Sequence, residues 1–254
     1  MRISFVIPAY NEENYLGRCL DSIMAIVNQK KHSIEVIVVN NASTDKTREV
    51  ALSYPGIRLI DEPRKGLSQA RQAGFSAATG DLIANIDADI IVPEDWTDTV
   101  LESFATNDKL VGLSGPHVFY DVSKWTNYSV RFFYYCSYVI YLFNRFIFRV
   151  SSMLQGGNFV IRRSALDKIG GFNTDFSFYG EDADIAHRLH KVGDVKFTFK
   201  LPVYASGRRV ISEGKVTLAF RYFINYIWAI LFGRPFTKSA ADIRLEAVEE
   251  NDLS

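Results

Sequence analysis

Apolar and polar positions in the first ninety residues alternate between two periods. Residues 3–8 form a short apolar run closed by proline, the pattern of a buried strand. Asn11, Glu12 and Glu13 then stand as cap and first-turn acids. Leu16, Cys19, Leu20, Ile23, Met24 and Val27 follow at helical spacing and give one apolar face. Residues 34–39, rich in β-branched side chains, predict a second strand, and 40–45 a polar loop. A short helix runs to Tyr54 before Pro55, and 57–60 predict a third strand. Residues 66–79 read as a helix lined by Ala70, Ala73, Ala77 and Ala78, small enough for close packing on a sheet. Residues 81–86 predict a fourth strand, which runs into Asp87-Ala88-Asp89.

Strand, helix, strand, repeated, implies an α/β fold: a mostly parallel sheet with helices on both faces. Ligands of such sheets sit outside the carboxyl ends of the strands. The polar signals lie at those ends: Tyr10-Asn11-Glu12, residues 40–45, and Asp87 with Asp89. One crevice built from all three is expected. A dinucleotide dehydrogenase shares this alternation but needs GxGxxG after the first strand. The turn here reads Pro8-Ala9-Tyr10-Asn11-Glu12, without glycine. A sugar nucleotidyltransferase would need a glycine-rich loop at the same place, and that is missing too.

Composition narrows the class. The 254 residues carry 29 Lys+Arg against 29 Asp+Glu and are 48% hydrophobic, which excludes a largely disordered chain and argues against a nucleic-acid partner. Cys19 and Cys136 make neither a disulfide framework nor a CxxC metal pair. The opening apolar run is too short for a secretion signal, so a cytoplasmic protein is expected.

Asp87 and Asp89 are separated by one small residue. In an extended segment both carboxylates point the same way and can share one hard cation, with a nucleotide diphosphate completing the shell. Four stretches give this pair its context. They are Val6-Ile7-Pro8-Ala9-Tyr10-Asn11-Glu12-Glu13, residues 38–47 (VVNNASTDKT), Asp87-Ala88-Asp89, and Gly180-Glu181-Asp182-Ala183-Asp184. In order and spacing the chain resembles family 2 of the glycosyltransferases, enzymes of the nucleotide-sugar-binding fold called GT-A. Gly156-Gly157-Asn158 and Ile169-Gly170-Gly171-Phe172 fit the segment that usually precedes the last motif.

The resemblance implies a donor nucleotide site at Pro8, Ala9, Tyr10, Glu12, Asn40, Asn41, Ser43, Asp87 and Ala88. It implies a divalent cation, Mg²⁺ or Mn²⁺, on Asp89 and Asp87, with Asp87 near the ribose. Lys65 and Arg71, with Arg64, are expected near the diphosphate. Gly156, Gly157, Asn158 and Glu181 are expected on the acceptor side, and Asp182 as the base of a single, inverting displacement. One departure stands out. Many members carry aspartate at the position of Asn40 or Asn41, where it accepts from the base; asparagine can accept and donate. Both UDP- and GDP-sugars therefore stay open. The Q-x-x-R-W run of processive synthases is missing, so one sugar per encounter is expected. A non-catalytic nucleotide-sugar or glycan-binding module of the same fold is the alternative. Arg208 and Arg209 follow Ser206-Gly207 in a stretch that reads as a mobile loop able to close over a leaving group.

The second half differs in character. From 122 to 166 there is no acidic residue, while aromatics are dense over 128–150. A second run, 216–232, is apolar apart from Thr217, Arg221 and Asn225, which fall on one helix face. Neither run is a convincing membrane span. Peripheral contact with the inner face of a membrane, packing on the sheet, and a homodimer face are the three readings. Membrane contact would bring in a lipid-linked glycan or polyprenyl phosphate acceptor. Residues 1–235 are expected to form a single domain with aromatic-rich C-terminal helices, and 236–254 a polar acidic tail.

Overall fold

A computed structural model describes residues 1–143, 154–176 and 180–214, and beyond these 217, 218, 220, 221, 224, 225, 228, 232, 236 and 237. In chain order the elements are β1 (Ile3–Ala9), α1 (Leu16–Asn28), β2 (Ile34–Asn40), α2 (Thr47–Leu52), β3 (Ile57–Asp61) and α3 (Leu67–Ala77). Then come β4 (Leu82–Ile86), β5 (Ile90–Ile91), α4 (Trp96–Thr106), β6 (Leu110–Ser114), β7 (His117–Phe119) and α5 (Lys124–Phe143). The remainder is β8 (Asn158–Arg162), α6 (Arg163–Lys168), α7 (Glu181–His190), β9 (Asp194–Phe197), β10 (Val203–Ala205) and α8 (Arg208–Glu213).

Seven strands form the main sheet in the order β3-β2-β1-β4-β8-β6-β9. Only β8 runs against its neighbours, pairing antiparallel to β4 and β6. The sheet is therefore mostly parallel, as the α/β reading expects. Residues alternate between two cores. Ile3, Phe5 and Ile7 face α1 and α4, whereas Val6, Ile37 and Val39 face α3, α6 and α7. The alanine-lined α3 lies close on β1: a Cβ added to Gly74 would come within 2.2 Å of Val6 Cγ1. A second sheet, β5-β10-β7, packs beside the end of β4.

Two local expectations are corrected. Helix α1 starts at Leu16 with no acid in its first turn and no side-chain cap. Asn11 takes a left-handed φ of 51°, and Glu12 turns inward, so the two acids belong to a loop rather than to the helix. Nor does Asp87-Ala88-Asp89 continue the strand. Ile90 N–H donates to the Asp87 carbonyl at 3.1 Å, which closes a turn directly after β4.

The aromatic helix begins at Lys124, four residues before the expected start, and the rest of that run, 144–150, lies outside the described residues. Of 216–232 only scattered positions are described, and of the acidic tail only 236 and 237. There the polar stripe is satisfied internally. Asn225 Nδ2 donates to the Arg221 carbonyl at 2.9 Å and to Thr237 Oγ1 at 2.8 Å. Among the described residues no helix is long and apolar enough to cross a membrane.

Candidate active site

The loops after β1 and β2 are stitched together by side chains acting on backbone. Asn11 N–H donates to Ser43 Oγ at 3.1 Å, and Glu12 N–H to Thr47 Oγ1 at 2.7 Å. Thr44 N–H donates to Asn11 Oδ1 at 2.8 Å, and Lys46 N–H to Glu13 Oε2 at 2.9 Å. Pro8 and Ala9 pair with Val39 and Asn40, which brings the two loops to one edge of the sheet. The two asparagines divide the work. Asn41 is committed to backbone: its amide donates to the carbonyls of Glu62 and Arg64, and its oxygen accepts from Gly66 N–H at 2.8 Å. Asn40 donates to Asp61 Oδ1 at 2.8 Å. The carboxylate missing at position 40 is thus present beside it, on the neighbouring strand in register. Lys65 Nζ donates to the Tyr10 hydroxyl at 2.6 Å.

At the end of β4 the two aspartates meet different cations. Arg71, on α3, is fully buried. Its Nη2 donates to Asp87 Oδ1 at 2.9 Å, and its Nη1 donates to Glu181 Oε1. The guanidinium also lies 5.0 Å from the Phe159 ring centre. A buried guanidinium stays charged, so this one ties the D-x-D turn to the Glu-Asp motif across the sheet. Arg71, expected near the diphosphate, is instead closed off from solvent behind Asp87 and Glu181.

Asp89 meets Arg208 instead, with Nη2 at 3.1 Å from Asp89 Oδ2 and 2.7 Å from Glu12 Oε1. The Arg208 guanidinium stacks 4.4 Å from the Tyr15 ring centre. The stretch read as a mobile loop is anchored: Asp121 accepts from Ser206 Oγ at 2.6 Å and Gly207 N–H at 2.5 Å. Arg209 turns away to Glu213.

The Glu-Asp motif opens α7, with Gly180 in the left-handed region at φ 81°. Gly156 lies against both acids: a Cβ there would stand 3.6 Å from Asp182 Oδ2 and 3.7 Å from Glu181 Oε1. Gly157 faces Asp87, where a Cβ would fall 2.4 Å from Oδ2, and its φ is +79°. Any side chain there both strains the backbone and displaces the carboxylate. Gly157→Ala is expected to lower stability by about 1–3 kcal/mol, checked by a thermal melt. Asn158 does not face the crevice: it is buried, accepting from Trp96 Nε1 at 3.1 Å and donating to the Leu201 carbonyl at 2.9 Å.

Five carboxylates, of Glu12, Asp87, Asp89, Glu181 and Asp182, face the two guanidinium groups of Arg71 and Arg208. Burial, with Glu12 and Asp87 nearby, raises Asp89 to about 7 against the pull of Arg208. Burial also raises Asp182 above the usual carboxylate range, opposed by the Ala183 and Gly156 amides. Such an excess of hard oxygen donors suits a divalent cation. Among the described residues no group of three His, Cys, Asp or Glu could hold a metal alone.

Sequence reasoning missed Asp61 and His117. Asp61 is signalled only by its register with Asn40. His117 is brought near by β7; its buried Nε2 has no hydrogen-bond partner among the described residues, and burial lowers the ring to about 4. Nothing in the local sequence of His117 points to the site.

The sequence model of glycosyl transferase family 2 matches residues 4–170, and that of the N-terminal domain of galactosyltransferase matches residues 145–202. Glycosyltransferase GlyA of Streptococcus pneumoniae is 35% identical over 103 residues, covering 39% of this chain and 14% of that protein. Across eight curated relatives the chain spans 11% to 42% of their length. Among solved structures, a mannosyltransferase from Pyrobaculum calidifontis with GDP-Man and Mn²⁺ aligns with TM-score 0.59 and 19% identity, over 89% of this chain and 61% of that one. Glucosyl-3-phosphoglycerate synthase from Mycobacterium tuberculosis with Mn²⁺ and UDP-Glc aligns with TM-score 0.60 and 20% identity, over 93% and 80%. The fold is GT-A.

Proposed function

The chain belongs to glycosyl transferase family 2, and from that premise we propose that it is a metal-dependent, inverting transferase. It moves one sugar from a nucleotide diphosphate sugar to a glycan, lipid-linked glycan or polyprenyl phosphate. The observation that carries this reading is Arg71. One buried guanidinium holds Asp87, on the donor side, and Glu181, next to the base, in a single site.

The donor nucleoside lies in the stitched loops, beside Tyr10, Asn40, Ser43 and Asp61. Asp61 accepts a base N–H, the part an aspartate at position 40 would otherwise play. Asp87 and Asp89 would hold the cation. When bound, Mg²⁺ or Mn²⁺ supplies Lewis-acid charge against the negative charge that develops on the leaving diphosphate. Asp182 takes the proton of an acceptor hydroxyl as its oxygen bonds to the anomeric carbon and the bond to the diphosphate breaks. Attack opposite the leaving group inverts the anomeric configuration.

Arg208, paired with Asp89 and Glu12, is the chain's own positive charge and would lie beside the donor diphosphate. Arg208→Gln is expected to lower turnover about 10²-fold and also to lower the melting temperature, since it takes the cation away from buried Glu12. Steady-state rates at saturating donor check this.

The function is tested by incubating a panel of UDP- and GDP-sugars with Mn²⁺ and reading released nucleotide diphosphate and product anomer. Turnover of one donor class with inversion supports the reading. Tight binding without turnover, with hydroxyl and phosphate acceptors both supplied, would leave a binding module of the same fold.

A further inference from the structure

Helix α5 carries an exposed aromatic face, on which Tyr135 alone stacks against another part of the chain, on Phe199 at 4.9 Å among the described residues. Trp125, Tyr128, Phe132, Tyr135 and Val139 recur at alternating steps of three and four, so they line one side of the helix. All five are exposed, Trp125 at 81% and Phe132 at 70%. The stripe runs about 21 Å along the helix. The opposite side fixes its orientation. Tyr134 stacks on Phe197 at 5.9 Å, and the Tyr141 hydroxyl donates to the Val195 carbonyl at 3.2 Å.

Charge selects the occupant. The stretch 122–166 contains no acidic residue. Arg162 and Arg163 are taken up by backbone, donating to the carbonyls of Leu110 at 3.1 Å and Gly80 at 3.0 Å. Lys124 and Arg131 stay exposed on α5. A second copy docked face to face would bring a second set of these basic residues to the same face, and this stretch offers no carboxylate to pair with them. Anionic headgroups complement the face instead: aromatics seat at headgroup level, and basic residues meet lipid phosphates.

We propose that α5 seats the protein on an anionic lipid bilayer, with Trp125, Tyr128 and Phe132 in the headgroup layer and Lys124 and Arg131 against the phosphates. The contact lies next to the candidate active site. Asn127 accepts from the Phe119 amide at 3.0 Å and donates to its carbonyl at 2.7 Å, and the neighbouring Tyr120 hydroxyl donates to the Asp89 carbonyl at 3.4 Å. On the transferase reading, the acceptor is then a lipid-linked molecule presented at the same surface; the bilayer contact itself does not need that reading.

Flotation of the full chain with phosphatidylglycerol–phosphatidylcholine vesicles tests it. Partitioning is expected to be at least about tenfold stronger than on phosphatidylcholine alone, and to weaken with salt. Trp125→Ser with Phe132→Ser should lower it about tenfold or more, and Arg131→Gln about fivefold. These side chains are exposed, so the melting temperature and nucleotide binding should stay unchanged. No binding to any vesicle, or binding indifferent to the double substitution, overturns the proposal. A concentration-dependent dimer lost in Phe132→Ser also overturns it and assigns the face to a second copy. A protein that binds nucleotide but does not float rejects the bilayer contact alone; one that floats but binds no nucleotide rejects only the transferase reading.

Discussion

Arg71→Met is expected to destabilise the protein by about 3–5 kcal/mol, because it leaves Glu181 buried and unpaired. For a domain of this size that is a fall in melting temperature of roughly 6–20 °C. The guanidinium is fully buried and serves two carboxylates from different halves of the chain, Asp87 and Glu181. Lysine, a single point charge without the planar fork, should not restore both contacts. Adding Glu181→Gln to Arg71→Met removes the stranded charge and should recover much of the stability. It should not recover turnover, since Asp87 still lacks its partner. Thermal melts and donor turnover on the two variants separate the parts. Equal stability of Arg71→Met and the parent protein would show that this pair does not hold the two motifs together.

Asp182→Asn is expected to lower turnover of a hydroxyl acceptor about 10²–10⁴-fold while leaving nucleotide binding unchanged. The base works only when ionised, so the rate should rise with pH through the pKa of Asp182. Burial raises that pKa, so the acid limb should lie above the ordinary carboxylate range of about 4. The limb should vanish in Asp182→Asn. The sign for stability is opposite to that of a salt-bridged acid. The folded state holds this proton more tightly than the unfolded chain, so the carboxyl contributes less stability as pH rises from the unfolded pKa through the folded one. Asp182→Asn should therefore melt no lower than the parent protein at pH 7. A loss below about tenfold with a hydroxyl acceptor would show that Asp182 is not the base.

Much of the first half was legible because each element there follows one strong local pattern. The second strand, expected over 34–39, is β2 at Ile34–Asn40, and the fourth, expected over 81–86, is β4 at Leu82–Ile86. The acids before α1 misled because Glu12 has the local spacing of a helix-start residue, yet its partner Arg208 lies far along the chain. The D-x-D turn misled in the same way: an apolar run does not reveal that it turns back at Ile90. Strands β5, β7 and β10, of two or three residues each, are too short to show any period. The resemblance puts Arg71 near the diphosphate, and nothing local distinguishes a buried arginine from a solvated one. Its burial follows from Glu181, which comes to it only through the sheet. The motifs of the resemblance include residues that the fold joins through Arg71, Asp87 and Glu181, which local patterns do not link.

Calorimetric titration with UDP and GDP, with and without Mn²⁺, on the parent protein and Asp89→Ala, tests the central claim most directly. One nucleotide class should bind with Mn²⁺, and binding should fall by at least about tenfold without the cation or without the Asp89 carboxylate. A folded parent protein that binds neither nucleotide, or an Asp89→Ala variant that binds as tightly as the parent, would contradict it.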